Sequence, residues 1–295
     1  MNQENSNQKF KGSITVAAFS RHDELARSLR AIDVARGDRD IPLIVVHQTG
    51  YPEVSKVIDK WRERIDILIT TDGQGSSPLS NINMNALLCR EIAFKWLLCD
   101  WSLGVEEDTE IAPDAISFIE FTYKKYRNNP FFRGVNLGSK EAFRSNMENS
   151  YNLVSYGIQG QASMITNKTW SHFNTSKLRK NADKSGLDSM MEHYVKSGFM
   201  CTPHNSRYID SGWNGTHASS NPDDEYYVSL RNSFTKLNLN SSINYIISKY
   251  DINWREDAHE FSILKAWPRY FLCKFRHLRF LAKKQIKMKI ISLLS

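Results

Sequence analysis

Short apolar runs alternate with longer stretches of helical periodicity through the first third of the chain. Residues 13–19, 41–47 and 65–70 are rich in Ile, Val and Leu, which predicts buried strands. Charged stretches at 22–36 and 53–64 have the spacing of amphipathic helices. An order of strand, helix, strand, helix, strand predicts a parallel sheet with helices on both faces.

The pattern becomes less regular after the third predicted strand. Residues 72–83 are rich in Gly, Ser, Pro and Asn, which predicts a loop, whereas 85–98 read as a long helix. A fourth strand is predicted at 100–105, a helix from Pro113 to about Tyr126, and a fifth strand at 131–135. From there to about residue 220 the chain is mixed and rich in Ser, Asn and Gly, which is typical of a binding region built from loops.

The net charge of +7 and the pI of about 9.1 are distributed unevenly along the 295 residues. Eight Lys or Arg and no Asp or Glu lie in residues 267–295, so the rest of the chain is close to neutral. This segment interleaves aromatic residues with cations but lacks the roughly 20 apolar residues that span a bilayer. We expect it to contact an anionic membrane surface peripherally, the alternative being a solvated helix packed on the body.

The cysteines and the polar start of the chain bear on its compartment. Cys89, Cys99, Cys201 and Cys273 have no metal-binding spacing, and a chain of this length does not need disulfides to fold. The first residues lack the apolar stretch of a signal peptide. We therefore expect a cytoplasmic protein, peripheral at the inner face of the cell membrane.

Four carboxylates follow the fourth predicted strand: Glu106, Glu107, Asp108 and Glu110. Ligands of open parallel sheets bind beyond the carboxyl ends of the strands, which is where this cluster is predicted to lie. A hard cation held by carboxylates is a common means of stabilising a departing diphosphate. The cluster is therefore a candidate metal site, the alternative being a solvated turn.

The cluster and its flanks resemble a known family. Residues 105–121 read VEEDTEIAPDAISFIEF. They are similar to the metal-binding segment of N-acetylglucosaminyltransferase I, the alpha-mannosyl-glycoprotein beta-1,2-N-acetylglucosaminyltransferase type of inverting enzyme with a glycosyltransferase-A (GT-A) fold. The resemblance implies Mn²⁺ or Mg²⁺ and a UDP-sugar donor. It places Asp108 at the direct metal ligand and Glu107 near the ribose, where the family has an Asp.

Further similarities occur in the same order along about residues 13–220. They involve residues 41–50, 94–97, 136–141 and 160–170. The implied domain organisation is a disordered leader at 1–12, a GT-A glycosyltransferase domain at 13–250 and a basic amphipathic tail at 251–295. Within the domain, the nucleotide-binding half covers about 13–115 and the acceptor half about 116–250.

An inverting transferase needs a carboxylate that takes the proton from the acceptor hydroxyl. Asp188 lies where the family carries its proposed base, which implies that it is the catalytic base here. The alternative is that Asp188 is a helix N-cap. Asp183 and Glu192 are the competing carboxylates.

Residues 203–217 resemble the family's loop that folds over the donor. The resemblance implies donor contacts from Ser206, Arg207 and His217. Gly212 and Gly215 would permit a mobile lid.

Two more residues are expected to meet the nucleotide. Gln48 replaces the family's base-binding Asp on the second strand, and its amide can still form hydrogen bonds with uracil. Arg21 follows the first strand, and its place in the resemblance requires a one-residue gap.

Together these features predict an inverting, metal-dependent glycosyltransferase that moves a sugar, with N-acetylglucosamine a candidate, from a UDP-sugar to a glycan acceptor. The acceptor is expected to be lipid-linked, in bacterial surface polysaccharide or lipopolysaccharide synthesis. One alternative is a sugar-nucleotide pyrophosphorylase, although residues 17–21 do not form the glycine-rich loop of that class. Another is a protein that binds nucleic acid through the tail, although the neutral body and missing motifs favour no nucleic acid.

Overall fold

A computed structural model describes residues 11–73, 75–138, 150–155, 157–158, 160–203, 206–210, 255–259 and 271–272. The strands in this part of the chain are β1 (Gly12–Ala18), β2 (Leu43–Gln48), β3 (Ile67–Thr71), β4 (Trp101–Glu106), β5 (Thr109–Ile111), β6 (Phe132–Asn136), β7 (Ser150–Val154), β8 (Ala162–Thr166), β9 (Phe199–Pro203), β10 (Tyr208–Asp210) and β11 (Arg255–His259). The helices are α1 (His22–Arg36), α2 (Pro52–Lys60), α3 (Pro78–Glu91), α4 (Ala115–Tyr126), α5 (Asn167–Trp170), α6 (Thr175–Lys180) and α7 (Leu187–Val195). A 3₁₀ turn (Arg62–Arg64) follows α2, and a π-helix (Ile92–Trp96) continues α3.

Nine of these strands form one sheet in the order β11-β7-β9-β6-β8-β4-β1-β2-β3. The pairs β4–β1, β1–β2, β2–β3, β6–β9 and β11–β7 are parallel, whereas β8 is antiparallel to both β4 and β6, and β7 is antiparallel to β9. Strands β5 and β10 form a separate antiparallel pair. The predicted class, an α/β fold with a mostly parallel sheet flanked by helices, is confirmed.

Both faces of the parallel part are buried, as the continuous apolar runs predict. Alternate side chains of a strand point to opposite faces of a sheet. Leu43 and Val45 therefore join the cluster beneath α1, α2 and α4, while Ile44 and Val46 pack against the end of α3 and the π-helix. All four side chains are at most 2% exposed.

Helix α3 begins earlier than the sequence pattern predicts. The loop expected over 72–83 ends at Pro78, because Ser77 caps the helix by accepting a hydrogen bond from the Ser80 N–H. Proline suits the first turn of a helix, where its missing N–H would have no partner. The Ser-Pro pair is an N-terminal helix signal inside a segment whose composition suggested a loop.

The segment beyond residue 136 contributes more to the sheet than expected. Strands β7, β8 and β9 are internal members, and β8 inserts between β4 and β6. Residues 255–259, which the sequence analysis assigned to the tail, form β11 beside β7. The tail itself lies outside the described residues except for Arg255–His259 and the exposed pair Phe271 and Leu272. Within the described residues, no helix is both long and apolar enough to cross a membrane.

Candidate active site

The candidate site lies where β1, β2 and β4 end, at the carboxyl edge of the sheet. Strands β1 and β4 are adjacent and parallel, with Ala17 opposite Glu106. The turn after β1 and the turn after β4 therefore meet at the same edge. This arrangement brings Arg21 to the acidic cluster although 85 positions separate it from Glu106 in the sequence.

Glu107 is turned into the protein and binds the backbone of the β1–α1 turn. Its two carboxylate oxygens accept hydrogen bonds from the N–H groups of Phe19 and Ser20, the latter at 3.2 Å. Burial raises the pKa of Glu107, and these two hydrogen bonds oppose that shift. The described contacts thus give Glu107 a role in shaping the turn that follows β1.

Asp108 is 7% exposed, and its carboxylate forms an ion pair with the Arg21 guanidinium. Arg21 stands immediately before α1 and keeps about a quarter of its side chain accessible. The structure therefore places the predicted metal ligand and a predicted donor-binding cation in direct contact.

The acidic motif supplies a small share of the ligands that a divalent cation would need. In the described part of the chain, no group of three or more His, Cys, Asp or Glu side chains could hold a metal ion. Mg²⁺ is commonly bound by one or two carboxylates together with substrate phosphates and water, and not by an all-protein cage. Asp108 could supply one carboxylate in that mode of binding.

Glu106 and Asp188 both lie beside Gly160. A methyl group built on Gly160 would lie 3.0 Å from Glu106 Oε1 and 3.6 Å from Asp188 Oδ2. Glu106 is exposed and Asp188 half-buried. They are neighbours because β8 runs antiparallel to β4 and begins where β4 ends, with the Glu106 N–H donating to the Gln161 carbonyl at 2.9 Å.

Asn83 positions the helix that carries Asp188. Its buried side chain donates to the carbonyl oxygens of Ala182 and Ser185 at 2.7 and 3.0 Å, and accepts from the Leu187 N–H at 3.0 Å. These bonds tie the start of α7 to α3. Sequence reasoning missed Asn83, since it stood at the end of the predicted loop and gave no local signal for contacts about 100 residues away.

The N-cap alternative for Asp188 is wrong. Gly186 is the N-cap of α7 and makes no side-chain cap, while Asp188 lies in the first turn. Its Oδ1 accepts from the Ser189 N–H at 2.7 Å, whereas its Oδ2 is the oxygen nearest Gly160.

The competing carboxylates are placed less favourably than Asp188. Asp183 is exposed in the turn before α7. Glu192 forms an ion pair with Lys196 at 2.6 Å and packs against Gly157. Of the three carboxylates, Asp188 is the one whose proximity to Gly160, and so to Glu106, the structure records.

Gln48 ends β2 and points to the α3 side of the sheet, where it lies against Gly73. It is 8% exposed, and its Oε1 has no hydrogen-bond partner among the described residues. Buried polar atoms are rarely left without a partner. A buried acceptor at the ligand-binding edge suits a donor such as the N3–H of uracil.

Arg207 is buried, and its Nε donates to Asp114 Oδ2 at 3.0 Å. Burial raises the pKa of Asp114, and the charge of Arg207 opposes that shift. Ser206 bonds within its own turn, donating to the Tyr208 carbonyl at 2.7 Å. Contact of Arg207 and Ser206 with a donor stays a prediction, as does that of His217, which lies with Gly212 and Gly215 outside the described residues.

Segments that are far apart in sequence meet around this edge. The Arg207 N–H donates to the Leu137 carbonyl, and the Ala112 N–H donates to the Arg207 carbonyl at 2.8 Å. Asn136 donates from its side-chain amide to the Gly157 carbonyl at 3.2 Å. The motif after β4, the turn after β6 and the segment after β9 therefore form one hydrogen-bonded unit.

A cavity of about 510 Å³ opens at the ends of β2 and β3 but on the α2 side of the sheet. Its lining includes His47, Tyr51 and Asp59 and none of the predicted site residues. Burial lowers the pKa of His47, and Asp59 opposes that shift. Since His47 and Gln48 are consecutive in a strand, they face opposite sides of the sheet, and this cavity is separate from the acidic edge.

No protein-family model and no curated protein sequence matches this chain. Among solved structures, it is similar to S. aureus TarS residues 1–349 in complex with UDP-GlcNAc, with 13% identity, a TM-score of 0.46, and coverage of 80% of this chain and 69% of that one. It is also similar to the mannosyltransferase PcManGT from Pyrobaculum calidifontis, in complex with GDP-Man and Mn²⁺, with 12% identity, a TM-score of 0.47, and coverage of 95% and 81%. These are similarities of fold outline alone.

Proposed function

We propose that this protein is an inverting glycosyltransferase that transfers a sugar from a UDP-sugar to a glycan hydroxyl with the help of a divalent cation. The observation that carries the proposal is that distant sequence segments meet at one edge of the sheet. Segments that resemble one transferase family in sequence meet at the carboxyl edge of a parallel sheet, although up to about 100 residues separate them. They bring the buried carboxylate of Asp108, the guanidinium of Arg21 and the half-buried carboxylate of Asp188 to this edge.

The donor would lie across the ends of three neighbouring strands. Gln48 at the end of β2 would bind the base, and Asp108 beyond β4 would lie at the diphosphate. Adjacent strands are about 4.8 Å apart, so the two residues are separated by roughly the width of two strand spacings. The order of β2, β1 and β4 in the sheet thus matches the order of base, ribose and diphosphate in a nucleotide-sugar.

Asp108 would hold the cation, which when bound neutralises the negative charge that develops on the departing diphosphate. Arg21 is the second positive group at this point, because its guanidinium already lies on Asp108. With donor bound, the Arg21 side chain would turn from Asp108 to a phosphate of the donor. Guanidinium groups bind phosphate well because two of their N–H groups can donate to two phosphate oxygens at once.

Asp188 would act as the base. The acceptor hydroxyl would donate its proton to Asp188 as its oxygen attacks the anomeric carbon, and the bond from that carbon to the diphosphate oxygen would break. Attack from the side opposite the leaving diphosphate inverts the anomeric configuration. Glu106, beside Asp188, would accept a hydrogen bond from a hydroxyl of the bound sugars.

The membrane and pathway terms belong to this proposal as well. We infer a lipid-linked acceptor on the cytoplasmic side of a bacterial membrane, in surface polysaccharide or lipopolysaccharide synthesis, on the basis of the basic segment at 267–295. The two-half domain organisation predicted from the sequence stays a prediction.

A donor screen with and without Mn²⁺ tests the proposal. UDP-GlcNAc and other nucleotide-sugars would be scored by nucleotide release and by binding calorimetry. Asp108→Asn is expected to lower metal-dependent donor affinity about tenfold or more, since it removes a charged ligand. Arg21→Gln should raise the affinity of the donor-free protein for Mn²⁺ and lower its affinity for the donor.

The matched control is Asp183→Asn, an exposed carboxylate outside the rim. If Asp108→Asn leaves metal-dependent donor binding unchanged, or if no nucleotide-sugar binds, the proposed function is wrong. Release of pyrophosphate from a nucleoside triphosphate and a sugar phosphate would instead favour the pyrophosphorylase alternative.

A further inference from the structure

Two large apolar side chains are exposed to solvent just before β4 begins. Trp96 ends the π-helix and is 67% exposed, and Leu98, two residues later, is 70% exposed. Both precede β4, so they lie at the opposite end of that strand from Glu106. Neither belongs to the candidate active site.

Leu98 also has a left-handed backbone, with φ of +54°. It is the sole non-glycine residue with positive φ among the described residues. The backbone on both sides is fixed, because the Leu97 N–H donates to the Ile92 carbonyl at 3.0 Å and the Cys99 N–H to the Ala93 carbonyl at 2.9 Å. This helix-ending position favours glycine, and a bulky side chain there is strained.

A strained leucine with an exposed side chain contributes little to folding. Glycine would adopt the same backbone without strain and would expose no apolar surface. Strained backbone often marks a functional segment. The side chain of Leu98, together with that of Trp96, is therefore expected to serve a contact outside the monomer.

The surface next to this pair is basic. Residues 167–180, which include α5 and α6, contain four Lys or Arg and no Asp or Glu, a net charge of +4. Three of the cationic side chains are exposed: Lys168, Lys177 and Lys180. Nearby Glu91 is already engaged by Lys95 and Arg179, so it leaves little negative charge to offset them.

The basic segment and the apolar pair are contiguous. Phe94 stacks on Trp170 of α5 with ring centroids 5.7 Å apart. The Asn167 N–H donates to the carbonyl of Asp100, two residues after Leu98. Lys95 and Arg179 both donate to the carboxylate of Glu91, just over one helical turn before Trp96.

We propose that Trp96, Leu98 and the exposed lysines of residues 167–180 form a membrane-binding face whose partner is an anionic lipid surface. Tryptophan favours the headgroup region, where its ring is apolar and its N–H stays hydrated. Leu98 inserts beside it, while the lysines contact the lipid headgroups. These residues are not part of the sequence segment 267–295, and Trp96 and Leu98 lie at the end of β4 away from the carboxyl edge.

The test is cosedimentation of the full chain with vesicles, either equimolar phosphatidylglycerol and phosphatidylcholine or phosphatidylcholine alone. Leu98→Gly is expected to weaken binding to the anionic vesicles severalfold, and adding Trp96→Gln should bring the loss to about tenfold or more. Leu98→Gly should at the same time raise Tm, by about 2 °C. Opposite changes in binding and stability separate a contact residue from a structural one.

Two further variants make the result specific. Val34→Gln removes an exposed apolar side chain on α1, on the other face of the sheet, and should leave binding unchanged. Lys177→Glu with Lys180→Glu should weaken binding to anionic vesicles and reduce its salt dependence.

Wild-type binding by the Trp96 and Leu98 variants would overturn the proposal, because the tail alone would then carry any membrane contact. Equal loss of binding to both kinds of vesicle would overturn the assignment of an anionic lipid partner. A change from dimer to monomer in ultracentrifugation would overturn the proposal in favour of a contact between two copies of the chain. Nucleotide release should be the same in all these variants, so this proposal and the proposed function can fail independently.

Discussion

Glu106 and Glu107 are consecutive and chemically identical, yet they lie in two different regions of the edge. Glu107 is buried, and both its carboxylate oxygens are used by the turn after β1. Glu106 is exposed and, like Asp188, lies beside Gly160. One region is built from the parallel strands β1 and β4, and the other from the antiparallel start of β8 and the first turn of α7. The difference shows that a run of acidic residues is not one functional unit.

The two regions also differ in how deeply their carboxylates are buried. On the β1 side, Glu107 and Asp108 are both less than a tenth exposed and are held by backbone amides and by Arg21. On the α7 side, Glu106 is exposed and Asp188 half-buried, and both lie beside Gly160. Under the proposed function, the first region would serve binding and local structure, and the second would serve proton transfer.

Asp188→Asn gives the largest expected effect and tests the second region. An amide cannot take up the acceptor proton, so nucleotide release with an acceptor present should fall by roughly 10² to 10⁴-fold. Donor affinity measured by calorimetry should stay within about twofold, because the base does not touch the nucleotide. Equal losses of donor affinity and rate would contradict the division into two regions.

Glu106→Gln is the matched comparison for that prediction. A neutral side chain of the same size keeps one acceptor oxygen, so we expect a loss of about tenfold in rate, smaller than that of Asp188→Asn. If Glu106→Gln were the more damaging of the two, the base would have to be reassigned to Glu106.

Glu107→Gln tests the first region by stability. It places an amide where two backbone N–H groups need acceptors, so the free energy of unfolding should fall by about 1–3 kcal/mol. Glu106→Gln, one residue away but exposed, should change it by no more than about 0.5 kcal/mol. Urea unfolding measures the loss in free energy of unfolding for each variant. Similar losses for the two would contradict the structural role given to Glu107.

The stability difference between wild type and Glu107→Gln should also depend on pH, which is a smaller effect. The pKa of Glu107 is raised above its ordinary value of 4.5, so the folded protein holds this proton more tightly than the unfolded chain. The corresponding stabilisation is complete below pH 4.5 and is lost as pH rises through the higher folded pKa. The amide introduced by Glu107→Gln does not titrate, so the variant lacks this dependence.

The stability lost in Glu107→Gln should therefore be largest in acid and decrease as pH rises above 4.5, before it levels off. Unfolding of both proteins across this range measures the change. If the difference in free energy of unfolding between wild type and Glu107→Gln instead increased with pH, the pKa of Glu107 would be lowered. The hydrogen bonds from Phe19 and Ser20 would then affect this pKa more than burial does.

The parallel part of the fold was predictable because local sequence determines it. Continuous apolar strands such as 43–48 and the alternation of strand and helix indicate a buried parallel sheet without further information. The antiparallel strand β8 was not predictable, since its place between β4 and β6 depends on contacts far apart in sequence.

The site was predictable to a similar extent. Glu107 and Asp108 follow an identifiable strand, so their position at the edge could be inferred. Their different partners could not, because the amides of Phe19 and Ser20 and the guanidinium of Arg21 reach them only through strand pairing. The contacts of Asn83 with the start of α7 are likewise invisible in the sequence.

The insertion of β8 has a mechanical consequence. Met164 of β8 is paired with Leu103 of β4 on one side and with Val135 of β6 on the other, so a continuous hydrogen-bonded ladder joins β4 to β6 through β8. Gly134 lets β6 approach closely, since a methyl group there would lie 2.0 Å from the Met164 carbonyl oxygen. A hinge rotation of β6 against β4 would break this ladder. Under the proposed function, any motion that accompanies substrate binding should therefore occur in the loops, and this stiff sheet would fix the spacing of Gln48, Asp108 and Asp188.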